Sequence, residues 1–234
     1  FIDKGFKAFF RKIIIIFLYK IVFIHKNIKV ILQNKTDLQN IYDFTNLKKK
    51  KTILIEGSGV DLNFFKFSKI PKTHPIVLFH ARLLSSKGIY EFIEAAKNLR
   101  GQARFVIVGK HDLEARKCIK LNKLRIFESQ GIIEYWGESN DMPKIFQKSS
   151  IVVLPSYREG MPKSLLEAAS CGRPIVTTNV PGCRDAIIDG KTGILVQPKS
   201  TFELTNGIKK LLRNPKLLNR MGKEGRELAE KKFD

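Results

Sequence analysis

Apolar residues recur along this chain in two rhythms. From Pro75 onward, short unbroken apolar runs alternate with longer stretches in which apolar positions return every three or four residues. The runs are "IVLFH", "RFVIVG", "IIEYWG", "IVVLP", "PIVTT" and "GILVQ". The stretches with helical period cover 88–99, 112–130, 142–148, 162–171 and a short piece near 182–188, with 201–212 after the last run. Unbroken apolar runs suit strands buried on both faces, and amphipathic stretches between them suit helices covering a parallel sheet. The expected fold is α/β, a doubly wound parallel sheet of Rossmann-like type. Ligands of such a sheet lie beyond the carboxyl ends of its strands.

Before Pro75 the pattern differs. "IKVILQN" predicts a buried strand and 35–44 a helix. "NLKKKKTILIEGSGVDLNFF" then passes from a basic run through a short strand to a Gly-Ser-Gly turn, which places a unit boundary near residue 50. The division expected is 1–49 and 50–234. Earlier still, "KIIIIFLYKIVFIHK" is the most apolar stretch. It is interrupted by Lys20 and falls short of the ~20 residues a membrane span needs. It also lacks the small-residue cleavage site of a signal peptide. Two readings remain: a helix burying one face in protein, or an interfacial helix flanked by Lys4, Lys7, Arg11, Lys12 and Lys20.

Charge changes the picture in one respect. With 43 Lys and Arg against 22 Asp and Glu, the 234 residues carry a formal net charge of +21. An anionic partner would explain this, either a membrane surface or phosphorylated substrates. Scattered lysine in an Ile- and Asn-rich composition is the competing account, and no nucleic-acid motif accompanies the charge. The three cysteines, Cys118, Cys171 and Cys183, have no metal or pairing spacing and fit a reducing cytosol. No DxD, HExxH or CxxC motif argues for a metal. The chain starts at Phe1 and stops within a charged helical pattern, so a piece of a longer protein is expected.

The stretch most suggestive of chemistry is "REGMPKSLLEAASCGRPIVTTNVPG". A strand ends near Pro155, a loop follows, and Pro162 suits a helix first turn, where its missing N–H costs nothing. The unpaired N–H groups around 160–163 and the helix dipole then make a phosphate site, which Gly160 lets a ligand approach closely. Glu159 precedes that helix and Glu167 lies inside it, so two acceptors bracket the site, with Pro162 to Glu167 spanning roughly 7–8 Å. A sugar nucleotide has hydroxyls on both sides of a diphosphate and would suit the bracket; a loop acid and a solvated helix acid are the plainer reading. Arg82 and Lys87 follow the first strand of the sheet and could neutralise a diphosphate. Gly109 and Lys110 stand at another strand end.

Six segments in order, "GSGVD" (57–61), "ARLLSSKG" (81–88), "VIVGK" (106–110), "WGESNDMP" (136–143), "LPSYREGMPKSLLEAASCGRPIV" (154–176) and "DGKTGILV" (189–196), resemble the GT-B glycosyltransferases, specifically the large retaining family 4, glycosyl transferases group 1. The resemblance spans residues 28–212. It implies a donor-binding C-terminal domain of a hexosyltransferase. On that basis Arg82 and Lys87 contact the diphosphate. Glu159 and the Gly160–Met161–Pro162 backbone contact donor sugar and phosphate, Gly109 and Lys110 line the donor site, and Glu167 contacts the ribose. It implies no metal or other cofactor. The implied partners are a nucleotide diphosphate sugar, a lipid-linked or glycan acceptor and an anionic membrane surface, with no nucleic acid. The implied location is cytoplasmic, peripheral on the inner face of the cell membrane. Family members carry a separate N-terminal acceptor domain with a glycine-rich loop. Residues 1–49 hold only its last elements, so a donor domain with a stub is expected, one that binds donor without turning over. A GT-B epimerase and a non-catalytic donor-binding module are the alternatives.

Overall fold

The computed structural model describes residues 6–112, 115 and 117–234. Lys4 and part of the expected 112–130 helix lie outside the described residues, as does the side chain of Lys7. The main sheet has six parallel strands: β3 (Ile76–His80), β4 (Arg104–Val108), β5 (Glu134–Tyr135), β6 (Ile151–Leu154), β7 (Ile175–Thr178) and β8 (Gly193–Val196), in the order β5-β4-β3-β6-β7-β8. All six coincide with the apolar runs, because alternate residues feed two cores. Val77, Phe79, Ile107 and Val153 face one side; Leu78, Val106, Val152 and Leu154 face the other. Helices α3 (Ile89–Asn98), α4 (Leu121–Ser129) and α7 (Thr201–Leu212) contribute to the first core. Helices α5 (Met142–Lys148), α6 (Lys163–Ser170) and α8 (Pro215–Lys232) contribute to the second.

The sheet order reverses at β3, whose two neighbours are β4 and β6. A crevice at that switch point, outside the carboxyl ends, follows from the topology. One expected helix is much shorter than its pattern. Instead of starting at 112, α4 starts at Leu121. Lys117 has φ 71°, and the chain near it pairs with the loop after β3: the Ser85 N–H donates to the Lys117 carbonyl and the Ile119 N–H to the Leu83 carbonyl. Backbone bonds to a neighbouring loop have displaced the helical ladder there. The helix expected near 182–188 is a single 3-10 turn, Arg184–Ala186.

Helix α1 (Phe6–Ile24), β1 (Val30–Leu32), α2 (Lys35–Phe44) and β2 (Thr52–Leu54) precede the main sheet. Strands β1 and β2 form a separate parallel pair. Residues 52–54 therefore pair with the first part of the chain, although the composition shift at residue 50 assigned them to the second. None of the described side chains of α1 is buried, and Phe9, Phe10, Phe17, Leu18 and Ile21 are exposed. Among the described residues, no helix is long and apolar enough to cross a membrane.

Arg173 ties the connecting segment to the main domain. Its fully buried guanidinium donates to the carbonyls of Ser149, Cys171 and Ser68 and to the Ser68 hydroxyl. Burial lowers its pKa to about 10. At the far end of the chain, the Val60 N–H donates to the Phe233 carbonyl at 2.8 Å, so α8 returns to the start of the domain.

Candidate functional site

A cleft of about 410 Å³ opens at the switch point. Its walls are strand ends: His80, Ala81 and Arg82 after β3, Gly109 and Lys110 after β4, Leu154 at the end of β6. The remaining wall is Glu159, Met161, Pro162, Lys163 and Ser164 at the start of α6, with Lys87, Glu138 and Ser139 closing the rim. Close backbone packing shapes it. A Cβ on Gly109 would stand 1.9 Å from the Ala81 carbonyl oxygen, so only glycine lets these two loops meet. Gly182, with φ 81°, lies close under the 159–160 loop: its Cβ would be 2.4 Å from the Gly160 oxygen.

Lys87 and Glu159 come together from positions far apart in sequence. Their side chains form an ion pair at 2.5 Å, with 20% and 11% of each exposed. Arg82 is 59% exposed and lies 3.5 Å from Asp112. Among the lining residues, Arg82, Lys87, Lys110 and Lys163 set four cationic side chains against two carboxylates, Glu138 and Glu159. Pro162 occupies the N-cap of α6 rather than its first turn, and no side chain caps that end. The first N–H groups of α6 therefore depend on a ligand or water. A net positive cleft with an uncapped helix start suits an anion, and the partly buried Glu159 carboxylate beside it suits hydroxyl groups.

Of the residues singled out from the sequence, Arg82, Lys87, Gly109, Lys110, Glu159, Met161 and Pro162 line the cleft. Gly160 stands between two lining residues but is not one. Glu167 is not one either; it is half-buried on α6, where burial pushes its carboxyl pKa up against an opposing effect of Lys163. His80, Glu138, Ser139, Lys163 and Ser164 were not anticipated. Burial lowers the His80 pKa; its Nδ1 lies 3.3 Å from the Val108 carbonyl oxygen and its ring edge-on to Phe146. Its place as the last residue of an apolar run was the available signal. Among the described residues, no group of three or more His, Cys, Asp or Glu side chains is arranged to hold a metal.

A doubly wound parallel sheet with a net positive crevice at its switch point defines a Rossmann-type domain. Residues 60–228 match the family described as glycosyl transferases group 1, and the chain belongs to it. The chain is 35% identical over 245 residues to N,N'-diacetylbacillosaminyl-diphospho-undecaprenol alpha-1,3-N-acetylgalactosaminyltransferase of Campylobacter jejuni, covering 98% of this chain and 62% of that protein. It is 34% identical over 166 residues to alpha-D-kanosaminyltransferase of Streptomyces kanamyceticus, covering 68% of this chain and 42% of that one. The chain thus spans less than two thirds of the length of either relative. In fold it is similar to sucrose-phosphate synthase of Thermosynechococcus elongatus, with TM-score 0.80 and 24% identity over 94% of this chain and 57% of the other. It is also similar to Anabaena HepE solved in complex with UDP, with TM-score 0.78 and 21% identity over 88% of this chain and 60% of the other. These likenesses make the main domain a GT-B domain.

Proposed function

We propose that this chain supplies the donor site of a hexosyltransferase that moves a sugar, with retention, from a nucleotide diphosphate sugar to an acceptor hydroxyl in lipid-linked glycan or surface polysaccharide assembly. The observation that carries this reading is the Lys87–Glu159 pair beside the uncapped start of α6, inside the cleft at the switch point. The bond from the anomeric carbon to the diphosphate oxygen breaks as the acceptor oxygen bonds to that carbon on the same face, and the acceptor's proton passes to the departing diphosphate. Negative charge grows on the departing diphosphate, and Arg82, Lys87, Lys110 and the α6 N–H groups are the groups to stabilise it. In this reading no metal is required. Glu159 positions the sugar through its hydroxyls, and Glu167 serves the nucleotide. The Campylobacter relative's name, with its diphospho-undecaprenol, supports a lipid-linked acceptor. The exposed apolar surface of α1, with Lys20, Lys26, Lys48, Lys50 and Lys51 grouped at its end, supports work at an anionic membrane surface.

Calorimetric titration of the chain with UDP, GDP and the matching nucleosides tests the donor site. The diphosphates should bind more tightly, without added metal and unaffected by EDTA. Replacing both Arg82 and Lys87 with Ala should remove most of the difference. Charged hydrogen bonds contribute about 1.5–3 kcal/mol each where shielded, and less at exposed Arg82. Equal affinity for nucleoside and diphosphate would sink the assignment.

A further inference from the structure

The 158–160 loop carries Glu159, yet it is not held by the main domain alone. The N-cap of α2 reaches across to it. Asn34, 1% exposed, accepts from the Asp37 N–H at 2.7 Å through its side-chain oxygen, which is the capping bond. Its amide nitrogen donates to Asp37 Oδ2 and to the Gly160 carbonyl oxygen, each at 2.9 Å. Arg158 donates to the other oxygen of Asp37. The neighbouring side chain is just as close: a Cβ on Gly160 would stand 2.6 Å from Gln33 Oε1.

These contacts have a directional consequence. The Gly160–Met161 peptide is trans, as are all the described peptide bonds. In a trans peptide the N–H of the second residue points opposite to the carbonyl of the first. With the Gly160 carbonyl held by Asn34, the Met161 N–H is turned away from α2. Met161 lines the cleft, and among the described residues no backbone carbonyl accepts from its N–H. Buried N–H groups rarely go unpaired, so this one is available to a ligand atom.

We propose that Asn34 and Asp37 are positioning residues for the donor site: they fix the Arg158–Gly160 loop and, through it, the Glu159 carboxylate and the Met161 N–H. The N-terminal part of the chain thereby sets the geometry in which the donor sugar is held. This rests on the donor reading of the cleft. It adds that a residue outside the main sheet decides how well the sugar, as distinct from the nucleotide, is held.

Asn34→Ser tests it, because serine still caps α2 but has no amide to reach Gly160. The readout is the affinity of the chain for UDP-glucose, UDP-N-acetylglucosamine and UDP-N-acetylgalactosamine relative to UDP, by calorimetry, with the thermal midpoint measured alongside. In Asn34→Ser the affinity of the preferred UDP-sugar should fall by about five- to tenfold, the size of one hydrogen bond. UDP affinity should stay within about twofold, and the midpoint should fall by only about 2–4 °C, the cost of one lost hydrogen bond. Asp37→Asn, which weakens the hold on Arg158, should shift the ratio the same way. A wild-type preference that survives unchanged in Asn34→Ser overturns this proposal and leaves the donor reading intact. A wild-type chain that binds neither UDP nor any UDP-sugar overturns both.

Discussion

Lys87 and Glu159 neutralise each other in the cleft, and this shapes what each can do for a ligand. A diphosphate must compete with Glu159 for Lys87. Removing the carboxylate charge should therefore leave UDP binding unchanged or tighter, while the advantage of a UDP-sugar over UDP is lost. Calorimetry on Glu159→Gln checks this; parallel weakening of both ligands would show that Glu159 has no separate role at the sugar. Glu167 behaves differently because burial raises its pKa. A carboxyl with a raised folded pKa favours the folded state most below its unfolded pKa, and that stability is lost as pH rises through the folded value. Once ionised, the half-buried Glu167 carboxylate is a cost to the fold. Glu167→Gln should thus match or exceed the wild-type melting temperature at pH 7, with no gain at pH 4, yet bind UDP more weakly. A lower melting temperature at pH 7 would mean the carboxylate has a structural partner.

At the scale of elements, the cleft depends on loops clamped from behind. Thr177 and Thr178 of β7 donate to the carbonyls of Leu154 and Ser156, and Gly182 supports the next turn of the same loop. Arg173 does a similar service for the connecting segment through Ser68. Arg173→Met would fill a comparable volume but leave the Ser149 and Ser68 carbonyls without the donor they have now. Each unsatisfied buried acceptor costs about 1–3 kcal/mol, so a loss of about 3 kcal/mol or more is expected. Urea unfolding at constant slope measures it, and a loss below about 1 kcal/mol would show that water replaces the guanidinium. Pro143 follows Asp141, whose side chain caps α5, and Ser200 and Asn214 cap α7 and α8. The start of α4 differs from the sequence expectation of 112: the Ser85 N–H donates to the Lys117 carbonyl and the Ile119 N–H to the Leu83 carbonyl, and the helix begins only at Leu121.

At the scale of the molecule, charge and apolar surface converge on the N-terminal part. Lys20, Lys26, Lys48, Lys50 and Lys51 surround a cavity of about 550 Å³ beside Phe23 and Ile24, at the end of the exposed α1. Polybasic attraction is worth about 1 kcal/mol per Lys or Arg near an anionic surface and fades with salt. On the membrane-surface reading, the chain should sediment with phosphatidylglycerol vesicles at low salt and be partly released at high salt. Replacing Lys20, Lys26, Lys48 and Lys50 with Gln should weaken this without changing UDP affinity. Equal binding to neutral vesicles would point to a purely apolar contact, and no sedimentation would remove the membrane from the proposal.

The strands of the main sheet were legible in the sequence alone because burial on both faces requires an unbroken apolar run, which few other structures need. The stretch from Glu159 to Pro162 was legible for a related reason: a strand end, a glycine and a proline before an amphipathic helix leave N–H groups with no internal partner. Pairing is another matter. That Lys87 meets Glu159 and that Asn34 holds the Gly160 carbonyl depend on contacts across 72 and 126 residues of chain. Side-chain chemistry names groups able to pair, but several cations and carboxylates here could have served. Only the packing of β3, β6 and α6, with α2 brought against their loop, selects which of them come within hydrogen-bond distance.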